Sequence, residues 1–345
     1  MEMVAERISI VMTLYNAETY LRGTLDSILA QDYPDLELVA VLNGISSDST
    51  DSIVLDYAAR DNRVRPVDNR KPKSSIGEGL EAGLRELTGE YFTIIDGDDV
   101  LLPGALQALQ ASATRDGADI VVGNIVRMTM DDKVDGEIGL PDFSCIGRDE
   151  YLNVSVWYMD FLYHGKLYRS ELLRKNRITY LPVLVGMDML LHYQFVLYAN
   201  RVSRCKKDVH GYRMNTSSTS STMTLAKLQE SFGCHQFLDR LFEESGVYRD
   251  TEVMRGFRSQ GLVLVAGCLL QGGKAFYDGH TEEVDRLVRS DIFGNKRVKA
   301  YLKGWAAYYA VLSVCRLNMG IGNVFCSLLN RIRTSNFRFL FRGLN

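Results

Sequence analysis

The sequence predicts an α/β protein, a mostly parallel sheet flanked by helices and followed by a C-terminal helical region. Short apolar strands alternate with helix-patterned segments over the first 130 residues or so. Three of those strands run straight into polar turns, and beyond residue 222 the strand-like pattern gives way to long helical segments.

Each element follows from its local pattern. Arg7 to Leu14 (RISIVMTL) is a short apolar strand, and Thr19 to Leu29 carries Leu21, Leu25, Ile28 and Leu29 at helical spacing. Leu36 to Leu42 is a second strand, followed by the turn-rich NGISSDSTDS and a helix around Ile53 to Ala59. Arg63 to Val67 is short enough for an edge strand. A helix near Glu78 to Leu87 leads through Thr88 and Gly89 into the strand that opens at Tyr91. Pro103 to Ala113 reads as helix, Asp119 to Met128 as strand, and Met130 to Ile146 as polar loop. Arg148 to Arg174 has aromatic and helical character, Gly186 to Val196 is a helix, and His210 to Thr224 is a Ser/Thr-rich loop. Leu225 to Glu244, Val253 to Gln271, Glu282 to Val288 and Lys296 to Val314 are expected helices, which places a domain boundary between residues 1–222 and 223–345.

Bulk composition sets limits on function. With 345 residues, 46% hydrophobic and 24% charged, the chain reads as an ordinary globular protein rather than a disordered one. The six cysteines form no C-x-x-C pair, so neither a zinc site nor a disulfide framework is signalled, and a reducing, cytoplasmic setting is expected. Two acids near the start and a short apolar run do not make a secretory leader. Residues 292–345 hold nine Lys or Arg and no acid, which leaves the first 291 residues with 31 bases against 43 acids.

A parallel sheet with crossover helices binds ligands beyond the carboxyl ends of its strands. Tyr15-Asn16, Asn43-Gly44 and Asp96 to Asp99 each follow a strand, so these turns are expected on one edge. Asp96, Asp98 and Asp99 crowd like charges, which a hard divalent cation with phosphate oxygens would relieve. A solvated turn whose aspartates cap the next helix is the alternative.

At these residues the chain resembles glycosyltransferase family 2 enzymes of the GT-A (Rossmann-like) fold. The likeness includes Tyr15, Asn16, Glu18, Tyr20 and Leu21; Ser27, Ile28 and Gln31; the turn Asn43 to Thr50; and Gly89, Glu90, Tyr91, Asp96 and Asp98. It continues through Gly165-Lys166-Leu167-Tyr168-Arg169 and Gly186-Met187-Asp188, over roughly residues 7 to 220. The resemblance implies a nucleotide-sugar donor, UDP-linked, with Thr13, Tyr15, Glu18 and Asn43 around the base and Asp96 at the ribose. It implies Asp98 as ligand of Mn²⁺ or Mg²⁺, and Asp188 as the general base of an inverting transfer. Lys71, Lys166, His210 and Arg213 are candidate diphosphate or acceptor contacts. His164 and Trp157 are candidates for the acceptor cleft, with aromatic packing as the alternative.

The pattern departs from the family at three places. Asn43 stands where an Asp is usual, Met187 where Glu is common, and Leu80-Glu81 where Arg-Asn often occurs, so that Arg70, Lys71 or Lys73 would have to substitute. A catalytically silent scaffold and a nucleotidyltransferase are the rival functions. No Walker sequence or nucleic-acid-binding motif is present.

Trp305 to Cys315 is an eleven-residue apolar run, against the roughly 20 residues a bilayer span requires. The basic, Phe-containing NRIRTSNFRFLFRGLN suits an anionic membrane surface near a glycan or lipid-linked glycan acceptor, at the inner face of the cell membrane. Helices with a solvated basic face are the alternative. Deleting residues 296–345 is expected to remove binding to anionic liposomes, and equal co-sedimentation of the two forms would rule the docking out.

Overall fold

The computed structural model describes residues 6–72, 74–138, 142–158, 160–215 and 224–246, with 253, 254, 256, 257, 260, 279, 280, 282 and 283. The basic tail, Lys73, the Ser/Thr stretch 216–223, the Trp157 side chain and most of the helices expected after residue 250 lie outside the described residues. The chain divides into two compact units, Met1–Tyr151 with Leu162–Thr216, and Leu152–Phe161 with Ser217–Asn345.

The first unit opens with four strands, β1 (Ile8–Leu14), β2 (Leu36–Asn43), β3 (Val64–Asn69) and β4 (Tyr91–Ile94), which pair in parallel in the order β3-β2-β1-β4. The crossovers are α1 (Glu18–Leu29), α2 (Thr50–Arg60) and α3 (Ile76–Arg85). Side chains alternate across the sheet. Ile8, Ile10, Met12 and Leu14 join Leu36, Leu38, Ala40 and Leu42 in one buried cluster with Leu21, Leu25 and Ile28 of α1. Each Leu, Ile or Met among them contributes about 1.5–3 kcal/mol on burial. Val11 and Val41 point to the other face, where α3 packs so closely that a Cβ on Gly83 would fall 2.7 Å from Val11 Cγ1 and 2.8 Å from Val41 Cγ2. Its start is fixed by a capping box in which Ser75 Oγ accepts from the Glu78 N–H at 3.1 Å and Glu78 Oε2 accepts from the Ser75 N–H at 2.9 Å.

The sheet continues through β5 (Val100–Leu101), α4 (Ala105–Asp116), β6 (Ile120–Met128), β7 (Val134–Ile138), β8 (Cys145–Gly147), α5 (Arg148–Tyr158), β9 (Lys166–Arg169), α6 (Glu171–Lys175), α7 (Met187–Tyr198) and β10 (Arg201–Arg213). Its order is β3-β2-β1-β4-β9-β6-β10-β5, with β7 on β6 and β8 on β10. In the second unit, α8 (Leu225–Glu244) starts where the sequence placed it, with Thr224 Oγ1 accepting from the Lys227 N–H.

Four strands differ from the sequence expectation. The segment read as loop between 130 and 146 contains β7 and β8, polar edge strands whose hydrogen bonds to β6 and β10, rather than an apolar pattern, define them. Four-residue β9 lies in a stretch read as helical, because it inserts antiparallel between β4 and β6, where Phe92 stacks on Tyr168 at 5.3 Å. His210 to Arg213, read as the start of a loop, belong to β10: Gly211 pairs with Val126 and Val100, and its missing side chain leaves room for Met128.

One buried carboxylate locks β1, β2, β3 and the entry to β4. Glu37 accepts from Ser9 Oγ at 2.6 Å, from the Thr88 N–H at 2.6 Å and hydroxyl at 2.8 Å, and from Arg65 Nη1 at 2.6 Å. Burial alone would raise its pKa, but these donors outweigh it and hold the pKa down at about 2. A carboxylate depressed in the folded state stabilises the protein above its unfolded pKa and loses that contribution as pH falls toward the folded value. Glu37→Gln is therefore expected to cost about 2–3 kcal/mol at pH 7. In urea denaturation across pH 2–7 the gap to wild type should close between about pH 4.5 and pH 2.

Candidate active site

Parallel strands bring the ends of β1, β2 and β4 to one edge, and side chains tie the turns there together. Asn16, at φ 48°, accepts from the Ser47 N–H at 2.8 Å through Oδ1, and its own N–H donates to Ser46 Oγ at 3.3 Å. Glu18 Oε2 accepts from the Ser49 N–H at 2.8 Å, while the Glu18 N–H donates to Asp48 Oδ2 at 3.0 Å. Tyr15 is left 57% exposed over this seam, and Thr13 is half-buried just before it. Asn43 faces inward: Oδ1 accepts from Asn69 at 2.8 Å and Ser74 at 2.6 Å, and Nδ2 donates to the Ser75 carbonyl at 3.1 Å. Its carboxamide packs against Gly79, where a Cβ would fall 2.8 Å from Nδ2.

The acidic turn is held from two sides. On the α1 side, Thr24 Oγ1 donates to the Gly97 carbonyl at 3.0 Å, Ser27 Oγ accepts from the Leu101 N–H at 3.1 Å, and Gln31 donates to the Leu101 and Leu102 carbonyls. Gly97 is required there, since a Cβ would lie 2.6 Å from Leu14 Cδ2. On the β10 side, Asp99 is 1% exposed, with Oδ2 2.7 Å from His210 Nε2 and Oδ1 accepting from the Arg213 N–H at 3.0 Å. Arg213 Nη1 donates to the Asp98 carbonyl at 2.7 Å, its Nε donates to Asp132 at 2.6 Å, and its guanidinium lies 5.5 Å from the Tyr20 ring centre. Asn215 Nδ2 donates to Asp98 Oδ2 at 2.9 Å.

Two further elements reach the same place. His164, just before β9, is buried with Nε2 3.1 Å from Asp96 Oδ2. Asp188 sits in the first turn of α7, after Gly186 at φ 88°. The electrostatics reflect this crowding. Burial raises the pKa of Asp98 to about 6 against the help of Asn215, with Asp96 and Asp99 adding to the rise. Burial also raises Asp188, against the Met189 N–H and the His164 charge. Burial opposes charge on His164 and on Asp96, yet their mutual attraction prevails, taking His164 up to about 9 and Asp96 below the usual carboxylate range. Burial beside these acids raises Tyr163, and half-buried Tyr212 is raised as well.

The structure thus gathers Asp96, Asp98, Asp188, His210 and Arg213 at one edge, with Thr13, Tyr15 and Glu18 beside them. Lys71 is exposed on the loop after β3. Lys166 is fully buried with Nζ donating to the Leu162 carbonyl at 2.6 Å, which leaves its ammonium inside the fold. His210 Nε2 and the Arg213 backbone N–H and Nη1 are engaged with the acidic turn, and Arg213 Nε with Asp132. Met187 is 2% exposed, its sulfur 3.3 Å from where a Gly77 Cβ would stand, and Leu80 is buried, so two of the family departures are apolar packing positions. Sequence reasoning missed the roles of Asp99, Asn215, Tyr163 and Tyr212. The adjacency of Asp99 to Asp98 was the one available signal.

Among the described residues, one group of three His, Cys, Asp or Glu has ligand atoms within 4.8 Å of one another: Asp96, Asp99 and His164. Asp98, to which the resemblance gives the cation, stands outside that group, though the clustered carboxylates and the orphaned His164 nitrogen fit a divalent ion.

The fold is that of a GT-A domain. S. aureus TarS 1–349, solved with UDP-GlcNAc, matches with a TM-score of 0.64 at 19% identity, over 91% of this chain and 92% of that one. Residues 9–176, just under half of the chain, match the Glycosyl transferase family 2 model, and that segment is a family 2 glycosyltransferase domain. Glycosyltransferase GlyA of Streptococcus pneumoniae is 27% identical over 237 residues, 64% of this chain but 32% of GlyA. A GalNAc(5)-diNAcBac-PP-undecaprenol beta-1,3-glucosyltransferase of Campylobacter jejuni is 34% identical over 118 residues, 34% of this chain and 38% of that protein. The chain therefore spans about a third of GlyA and somewhat more of the Campylobacter enzyme.

Asp99 and Asp98 should respond oppositely to removal. Asp99→Ala strips buried His210 and the Arg213 N–H of their partner and is expected to cost about 3 kcal/mol. Asp98→Ala relieves like-charge crowding and should be neutral or stabilising. Urea denaturation of both variants at pH 7 makes the comparison.

Proposed function

We propose that this chain is a metal-dependent, inverting glycosyltransferase that moves a sugar from a UDP-sugar to a glycan or lipid-linked glycan during assembly of a cell-surface polysaccharide. The observation that carries the reading is the Asp188 carboxyl, which opens α7, has its pKa raised by burial and shares its surroundings with Asp96 and His164. A carboxylate whose pKa is raised toward neutrality is a better proton acceptor than one in water. Asp188 takes the proton from the acceptor hydroxyl, which attacks the anomeric carbon from the face opposite the nucleotide.

Tyr15 offers an exposed ring for the base, with Thr13, Glu18 and Asn43 near it, and Asp96 meets the ribose. A divalent cation held at the acidic turn through Asp98 supplies positive charge for the departing diphosphate. Lys71, exposed on the loop after β3, is the cation offered to the diphosphate in place of the Arg-Asn pair. The donor class is supported by TarS, whose structure holds UDP-GlcNAc, and the acceptor class by the undecaprenol in the name of the Campylobacter enzyme. No described helix is long and apolar enough to cross a membrane. A cytoplasmic position at the inner membrane face is part of the proposal.

The test is transfer and hydrolysis of a UDP-sugar panel with Mn²⁺. Asp188→Asn is expected to lower kcat by about 10²–10⁴-fold with donor binding kept, whereas Asp98→Ala should weaken UDP binding in Mn²⁺ but not in chelator. Full activity in Asp188→Asn would overturn the base assignment. UDP binding without turnover on any donor would favour a silent scaffold, and pyrophosphate release from a nucleoside triphosphate a nucleotidyltransferase.

A further inference from the structure

Four histidines are buried among the described residues, and three of them are hydrogen-bonded. His192 sets Nδ1 2.9 Å from the Tyr168 hydroxyl and Nε2 3.3 Å from that of Tyr151. His210 binds Asp99, and His235 Nε2 lies 2.9 Å from the Phe257 carbonyl. His164 differs. Its side chain is 5% exposed, Nε2 is engaged only in the ion pair with Asp96 Oδ2 at 3.1 Å, and Nδ1 makes no hydrogen bond. Leaving a buried nitrogen such as Nδ1 unsatisfied costs about 1–3 kcal/mol.

The ring is nonetheless held in place. It packs against Tyr163 at 4.4 Å, His210 at 5.1 Å and Tyr212 at 5.9 Å between ring centres. Gly165, at φ 66°, makes the turn into β9 directly after it, and a Cβ there would strike Ile125 at 2.7 Å. The rigid imidazole therefore has an unspent nitrogen beside Asp96 and Asp99, all three ligand atoms within 4.8 Å of one another.

We propose that His164 is a nitrogen ligand of the divalent cation at the acidic turn, sharing it with Asp96. The inference rests on the cation of the proposed function and deepens it by changing the ligand set. The 3.1 Å between Nε2 and Asp96 Oδ2, an ion pair while the ring is protonated, is also the spacing of neighbours around a common third atom. Adjacent ligands of an octahedral ion at about 2.1 Å stand about 3.0 Å apart. Asp99 spends Oδ2 on His210 and Oδ1 on the Arg213 N–H, so of the three residues Asp96 and His164 are the two not tied to β10. Coordination takes the deprotonated ring, so the cation displaces a proton to solvent. One imidazole among oxygen ligands tilts the site from Mg²⁺ toward Mn²⁺ and the later divalent ions.

The experiment is electron paramagnetic resonance of Mn²⁺ added to the full chain, alone and with pyrophosphate, which contains no nitrogen. Free Mn²⁺ is counted by continuous-wave spectra, and ¹⁴N coupling to the bound ion is read by spin-echo modulation. Wild type is expected to bind Mn²⁺ with a ¹⁴N coupling. His164→Gln should lose the coupling and weaken Mn²⁺ by about 10- to 100-fold, with a smaller loss for Mg²⁺ in competition. Bound Mn²⁺ without ¹⁴N coupling in wild type, or coupling that survives in His164→Gln, overturns the histidine ligand and leaves the cation standing. Failure of wild type to bind Mn²⁺ under either condition overturns both.

Discussion

Asp99 sits under the acidic turn with its two oxygens committed to the end of β10, one to His210 and one to the Arg213 N–H. That buried attachment is the constraint on which the site depends. A turn carrying three carboxylates would otherwise open toward solvent to separate its charges. With Asp99 drawn inward and Arg213 bridging back to the Asp98 carbonyl, the backbone is fixed. Asp96 and Asp98 remain half-buried at the edge, where their repulsion cannot be relieved by movement.

The unrelieved charge is what the site has to offer a ligand. Asp98 answers crowding and burial by moving toward neutrality, while Asp96 stays ionised because His164 lies against it. Stability is given up locally, as is usual where groups are arranged for chemistry rather than for folding. Rigidity comes from behind: the aromatic stack around His164 and the Ser27 and Gln31 contacts from α1 hold the turn without entering it.

Several residues of the family pattern prove to be framework. Ser27 and Gln31 fasten the chain after the acidic turn, Asn16 and Glu18 join the first two turns, and Asn43 clamps the start of α3. Asn43 stands where the family usually has Asp, and its amide donor reaches the Ser75 carbonyl, a bond no ionised carboxylate can make. Met187 and Leu80 likewise occupy apolar ground beneath the site. The departures therefore fall at positions that support the site from below.

By itself, the sequence determined the first four strands, their crossover helices and the edge where their polar turns meet. Each of those rests on hydrophobic periodicity or on a turn directly after a strand, both local properties. It also singled out Asp96, Asp98 and Asp188 by motif order. Only the tertiary structure decided that β9 inserts antiparallel between β4 and β6, that His210 to Arg213 are strand, and that Lys166 is buried. The same holds for the meeting of His164 with Asp96, 68 positions apart. Pairing across such distances depends on which surfaces remain unfilled once the local elements have packed, and periodicity along the chain carries no record of that.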